Sequence, residues 1–213
     1  MGAAQARGDG MSDHQDVLDF WFGGVSGDWG GEGNADRWFR SSAEFDAEIA
    51  ARFGGLVESL PESYRSWLGE PLSGLAAVIA LDQFPRNIFR GTAKAFAFDS
   101  HALDSCLSLI ESGAERSLLP VQRLFLYMPL EHSEDLAMQE LCVSKFGRLA
   151  EEAPEEHRKF AEGNLGYAKM HLDLIRRFGR FPHRNGLLGR AATPEEIAYL
   201  EGGGETFGQK QAG

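Results

Sequence analysis

Along most of the chain apolar residues return every three or four positions, the period of a helix with one buried face. Ser12 and Gln15 are spaced as a capping box, and Val17, Leu18 and Trp21 follow, so a first helix is predicted from there to Gly23-Gly24. After a glycine-rich stretch to Gly33, Trp38-Phe39 and then Phe45, Ile49 and Phe53 mark two further helical pieces, the second expected to stop at Gly54-Gly55. Pro71 opens a strongly apolar helix carrying Leu72, Leu75, Val78, Ile79 and Phe84, which Pro85 should terminate because it has no N–H to donate. Asp99 is placed to cap a helix through Leu103, Cys106, Leu107 and Ile110 that closes at Gly113. Pro120 starts the next helix, Pro129 is expected to interrupt it, and Ser133 to cap a helix reaching Leu149. Pro154 opens a long helix to Phe178, and Thr193-Pro194-Glu195-Glu196 combines the signals of a short last helix ending near Leu200.

No run of alternating β-branched residues occurs, and no Asn-Gly or Asp-Gly joins two strand-like runs. The pattern therefore predicts an all-α protein of seven to eight helices, packed as an irregular bundle or as stacked hairpins, without a strict repeat of about 34 residues. The expected organisation is a disordered tail over residues 1–11, a single helical domain over 12–201 and a flexible tail over 202–213.

Composition narrows the partners. The 213 residues carry 32 acids against 21 bases, a net charge of −11 that repels nucleic-acid phosphates and anionic membrane surfaces, so neither is expected as a partner. The longest unbroken apolar run, residues 75–81, falls far short of the roughly 20 needed to cross a bilayer. Residues 1–10 lack the apolar stretch of a secretion signal, and Ala6 stands where a myristoylation motif wants Ser or Thr. Cys106 and Cys142 have neither metal-ligand spacing nor a disulfide framework around them, which fits a reducing cytoplasm. Phosphate-binding loops, dinucleotide fingerprints and nucleophile elbows are all missing, so no cofactor is expected; Glu131, Asp135 and a histidine are conceivable hard ligands, but neither HExxH nor a repeated ExxH occurs, so no metal is expected.

Four motifs stand out in order: Asp19-Phe20-Trp21-Phe22-Gly23; Leu81-Asp82-Gln83-Phe84-Pro85-Arg86-Asn87-Ile88-Phe89-Arg90-Gly91; Leu126-Tyr127-Met128-Pro129-Leu130-Glu131-His132-Ser133-Glu134-Asp135; and Arg177-Phe178-Gly179-Arg180-Phe181-Pro182-His183-Arg184-Asn185. With them the chain resembles, from about Ser12 to Glu201, a bacterial family catalogued as domain of unknown function number 924. The resemblance implies a fold similar to tetratricopeptide-like helical arrays. It implies no activity and no catalytic residues.

The chemistry must be read from the residues themselves. Residues 169–190 hold six cations, including Arg180, Arg184 and Arg190, against the single acid Asp173, an island of +5 on an acidic body. Such an island is either paired internally or kept for an anion. Arg86 and Asn87, with Arg90 close by, and His183, Arg184 and Asn185 stand beside prolines, where side chains are locked and a guanidinium must find acceptors. Glu131, His132, Glu134 and Asp135 offer them; on one continuous helix the three acids would share a face.

Three readings follow. The carboxylates clamp Arg86 and Arg184 in closed ion pairs, making a structural protein. Or the groups line an open pocket where the arginines grip a small anionic ligand and Glu131 or His132 moves a proton, the acids favouring the charged form of His132. Or the fold is an adaptor for a peptide or protein partner, which a wide groove with exposed Trp21, Trp38 or Phe22 would favour. The aromatics of the first fifth of the chain fit helical core more simply. His171 falls on an apolar helical face and reads as a core histidine, while His183 is the better candidate for a pocket.

Overall fold

The computed structural model describes residues 13–23, 27–30, 37–39 and 42–207. Among them the chain is all-α, with no strand and no helix long and apolar enough to cross a membrane. Among the described residues, besides a helical piece at 37–39, the α-helices are α1 (His14–Phe22), α2 (Ala43–Ser59), α3 (Pro71–Val78), α4 (Phe84–Ile88), α5 (Asp99–Glu111), α6 (Pro120–His132), α7 (Leu136–Glu152), α8 (Glu155–Phe178) and α9 (Pro194–Glu201). A π-helical turn, Ile79–Gln83, joins α3 to α4 in one continuous rod.

Asp13, not Ser12, caps α1: its carboxylate accepts the N–H groups of Gln15 and Asp16 at 2.9 and 3.0 Å, and Asp16 returns the favour at the Asp13 N–H. A carboxylate answers these exposed donors with charge as well as geometry. Ser12 lies outside the described residues. The helix ends at Gly23, where a Cβ would come within 2.1 Å of the Asp19 carbonyl oxygen. Its buried face, Val17, Leu18, Phe20 and Trp21, enters an aromatic core. There Trp21 meets Phe84 and Phe125 edge-on at 5.8 and 5.4 Å, and Phe53 lies 4.7 Å from Phe84. The early aromatics are packing residues: Trp38 is also buried, and its indole N–H donates to the Trp21 carbonyl at 2.9 Å.

Three expected breaks do not occur. Gly54-Gly55 lie inside α2, because the buried stripe Ile49, Phe53, Leu56 and Val57 continues across them. Burying such side chains is worth roughly 1.5–3 kcal/mol each, more than the ~1 kcal/mol a helical glycine costs. Pro129 is carried inside α6, whose residues from Leu124 to Glu131 are all buried. Pro85 does not end the rod either. Before it the helix widens, the Phe84 N–H reaching back five residues to the Ile79 carbonyl, and Pro85 then sits in the first turn of α4, where a missing N–H is tolerated. Side chains cover the disturbed backbone: Arg86 donates to the Asp82 carbonyl at 2.9 Å and Asn87 to that of Gln83 at 2.8 Å.

Two caps also differ from expectation. Asp99 is the first residue of α5 rather than its cap, and its carboxylate faces Arg86. Asp135 caps α7, accepting from Ala137 and Met138, while the Ser133 hydroxyl accepts the Asp135 N–H. The run from Glu131 to Asp135 is therefore broken at Ser133, and its acids do not share a helix face.

The first part of the rod, α3, is buried from Ser73 to Val78, and the rod packs against α1, α2, α5 and α6. Helices α6, α7 and α8 pack in succession beside it. A second, small cluster of Leu174, Ile175 and Phe181 gathers Phe178, Tyr199 and Phe207. The π-turn, the end of α6, the middle of α8 and residues 202–207 meet at one place.

Candidate functional site

At that place Asp82, supplied by the π-turn, is wholly buried. Its Oδ1 lies 2.8 Å from Nδ1 of His132, the last residue of α6, and its Oδ2 accepts the Gln83 amide at 2.6 Å. Arg86 stands 3.2 Å from the same carboxylate and grips Asp99 with two hydrogen bonds of 2.8 and 3.0 Å. Burial alone would push the Asp82 carboxyl up, but the Arg86 charge and the hydrogen bonds from His132 and Gln83 hold it down at about 2. His132 moves the other way from the expected one. Burial and the Arg86 charge lower its pKa despite Asp82, so the imidazole is neutral. With Nδ1–H given to Asp82, its Nε2 keeps a lone pair, and among the described residues that atom has no hydrogen-bond partner.

Glu131 precedes His132 and is buried. Burial and the nearby Asp82 charge push its pKa up to about 8, so it holds its proton at neutral pH. His171, from α8, lies 3.4 Å from the Glu131 carboxyl and donates Nδ1–H to the Tyr167 carbonyl at 2.9 Å. Burial brings its pKa down to about 3. The two imidazoles are 6.5 Å apart. Glu131, His132, His171, Arg86 and Gln83 border one cavity of about 480 Å³, with Asp82 and Asp99 behind them. Gln83, Arg86, Glu131 and His132 give it a polar lining, to which Asn164 and Glu205 add. Met128, Phe39, Tyr167 and Phe207 give it an apolar one, with His171 beside them. An acid that keeps its proton and a neutral base aligned by a carboxylate thus open on the same space, a volume suited to a small organic molecule. Among the described residues no three acids, histidines or cysteines are grouped to hold a metal ion.

Residues 17–204 match the family described as "Bacterial protein of unknown function (DUF924)". The chain belongs to the DUF924 family. It is also similar to a solved structure, that of a protein of unknown function, ATU0120, from Agrobacterium tumefaciens. The two are 35% identical, the match covers 89% of this chain and 97% of that one, and the TM-score is 0.73. No curated protein matches significantly.

In this DUF924 chain the residues singled out by sequence divide in two. Arg86, Glu131 and His132 line the cavity. Most others are tied to each other around it. Arg90 is exposed and grips Asp46 at 2.8 and 2.9 Å, with Asn87 accepting a further bond. Glu134 takes two bonds from Arg190, at 2.6 and 2.9 Å, and the Phe181 N–H. Arg180 binds Glu196 at 2.6 and 2.8 Å; those bonds, with help from the Thr193 N–H and Asn185, hold Glu196 at about 2 despite burial. Asp135 is spent on its cap. Arg184 is buried between the rings of Phe96 and Phe181, 4.7 and 4.5 Å away, and donates to the His132 carbonyl. Burial and the Arg86 charge bring it down to about 10. His183 packs against Phe181 and Phe207.

The acids that hold Arg86 are therefore Asp82 and Asp99, rather than Glu131, Glu134 or Asp135. Sequence reasoning passed over Asp82 and Gln83 although it quoted their motif. The signal was an acid standing at the end of the longest apolar run, where an unpartnered charge is too costly to keep.

Proposed function

We propose that the cavity binds a small organic molecule through an acidic or carbonyl oxygen and exchanges protons with it. What carries this reading is that Glu131, which holds its proton, and His132, kept neutral by burial and the Arg86 charge and oriented by Asp82, border the same space. Protonated Glu131 donates to the ligand oxygen, and Arg86 adds positive charge beside it. The Nε2 of His132 accepts a proton from an adjacent carbon or from water, and Asp82 stabilises the imidazolium that forms. The proton passes from donor atom to Nε2 as Glu131 supplies another to the oxygen, so charge moves without a net gain. Arg86 and Arg184 answer Asp82 and Asp99 within the fold, which favours a ligand of one negative charge or none over a phosphate ester.

Thermal-shift screening of carboxylic acids and phosphorylated metabolites, with ¹³C-detected titration of His132, tests it. The expected result is stabilisation by monocarboxylates or keto acids that Glu131→Gln and His132→Gln abolish. No stabilisation by any acid, with His132 titrating as a free histidine, removes the proposal.

A second reading as an adaptor is supported by a groove of about 770 Å³ lined by Trp29, Trp38, Phe39, His157, Phe160 and Tyr167. Phe39 and Tyr167 are half exposed there. A peptide with aromatic residues fits such a wall. The third reading, a purely structural protein, draws on the closed pairs Arg180–Glu196 and Arg190–Glu134. We also propose a tetratricopeptide-like stacking of α6, α7 and α8, and a cytoplasmic setting, the latter supported by two buried free cysteines.

A further inference from the structure

Residues 202–207 leave α9 through three glycines, of which Gly203 takes a φ of 79°. Glu205 then donates its N–H to the Tyr199 hydroxyl at 2.7 Å. The N–H groups of Thr206 and Phe207 go to the carboxylate of Glu205 itself, so they fasten nothing to the body. Phe207 is held at φ 50°, a backbone region that bulky side chains avoid. Its ring anchors the end of the segment: it stacks on the His171 imidazole with centroids 3.7 Å apart and planes 19° from parallel. Both rings border the cavity that Glu131 and His132 share.

We infer that residues 202–207 are a lid over this cavity and that Phe207 occupies the subsite of a planar group, so the ligand is an aromatic or conjugated carboxylic acid. Its flat part replaces the phenyl ring on His171, exchanging one stack for another while the backbone of Phe207 relaxes. From there its carboxyl group reaches Glu131, whose Oε1 is 3.4 Å from the His171 ring nitrogen. The N–H groups of Gly202, Gly203 and Gly204 bond the carbonyls of Ala198, Leu200 and Tyr199, so the lid opens beyond Gly204, where the Tyr199 hydroxyl is a latch of a single hydrogen bond. The inference rests on the acid–base reading above for the role of Glu131.

Benzoate and cyclohexanecarboxylate, alike in charge and size but not in flatness, are the probes. Calorimetric titration of the full chain should show benzoate binding more tightly than cyclohexanecarboxylate. Phe207→Ala should bind benzoate about tenfold more tightly, because a plugged site lowers apparent affinity by the fraction of open molecules. Phe207→Trp should bind it more weakly. Chymotrypsin should cut after Phe207 faster when benzoate is present. Equal affinity for the two acids, or a benzoate affinity that neither Phe207 variant changes, overturns the inference. So does the absence of benzoate binding to both wild type and Phe207→Ala; the acid–base reading then stands or falls on its own acid screen. Benzoate that binds Phe207→Ala tightly but is indifferent to Glu131→Gln keeps the lid and removes the role of Glu131.

Discussion

His132 and Asp82 stand 50 positions apart in the chain and meet at 2.8 Å, imidazole Nδ1 to carboxylate Oδ1. The bond fixes the tautomer: the ring gives its proton to a wholly buried acid and turns the other nitrogen outward. Asp82 is at once the partner of a neutral histidine and the counter-charge of Arg86. Replacing it by asparagine keeps the shape and takes away the charge. Arg86 retains Asp99, so Asp82→Asn should lose about 2–4 kcal/mol, near the lower range for a broken buried pair. Urea unfolding measures it, and a loss under about 1 kcal/mol would mean that Asp99 alone satisfies the guanidinium.

The pH profile of stability should peak near neutrality for two opposed reasons. The pKa of Glu131 is raised in the fold to about 8, so the folded state holds a proton that the unfolded state releases above about 4.5. Its contribution is complete at low pH and declines as pH rises to 8. His171 and His183, both brought down to about 3 by burial, act with the opposite sign. Their contribution is present above the ordinary 6.5 and is lost as pH falls. Between 6.5 and 8 only Glu131 of these groups still acts, with a slope of about −1.4 kcal/mol per pH unit. Glu131→Gln should flatten that limb in unfolding experiments run at successive pH values; an unchanged limb would place the ionisation elsewhere.

Two helical glycines should respond oppositely to alanine. At Gly74, in α3, a Cβ would lie 2.5 Å from a methyl carbon of Leu109, which is itself buried and cannot move aside. Gly74→Ala is expected to cost about 1–3 kcal/mol. At Gly55, in α2, nothing stands within 4 Å of the added carbon, so Gly55→Ala should gain about 0.5–1 kcal/mol. Midpoints of thermal unfolding give both signs directly.

Arg184 lies between two rings, and its Nε has no hydrogen-bond partner among the described residues. Arg184→Met, which keeps an apolar stem against Phe96 and Phe181, should therefore be tolerated better than Arg184→Ala by about 1–2 kcal/mol. Equal losses would show that the charge, through Asp99 and the His132 carbonyl, matters more than the packing.

The helices were legible because their apolar faces recur at a helical period; α8 ends at Gly179 and α9 begins at Thr193 as the local signals say. The stops at Gly54, Pro85 and Pro129 were misread for one physical reason: each is a local preference outweighed by side chains buried from elsewhere in the chain. The cavity was half visible. Glu131, His132 and Arg86 announce themselves as polar groups beside prolines. Asp82 hides in an apolar run, and its partner is fixed only when α6 crosses the rod. Phe207 sits in a glycine-rich, polar end that carries no periodic pattern, so nothing local marks its ring as part of a wall.

The widened turn at Ile79–Gln83 is, in effect, one surplus residue wound into the central rod. Wind the same residues as an ordinary α-turn and everything beyond them would rotate by about 100° and advance by a residue's rise. Arg86 would swing off Asp99, and the carboxylate that steadies His132 would face another neighbour. The phase of a single turn thus sets whether acid and base look into the same space.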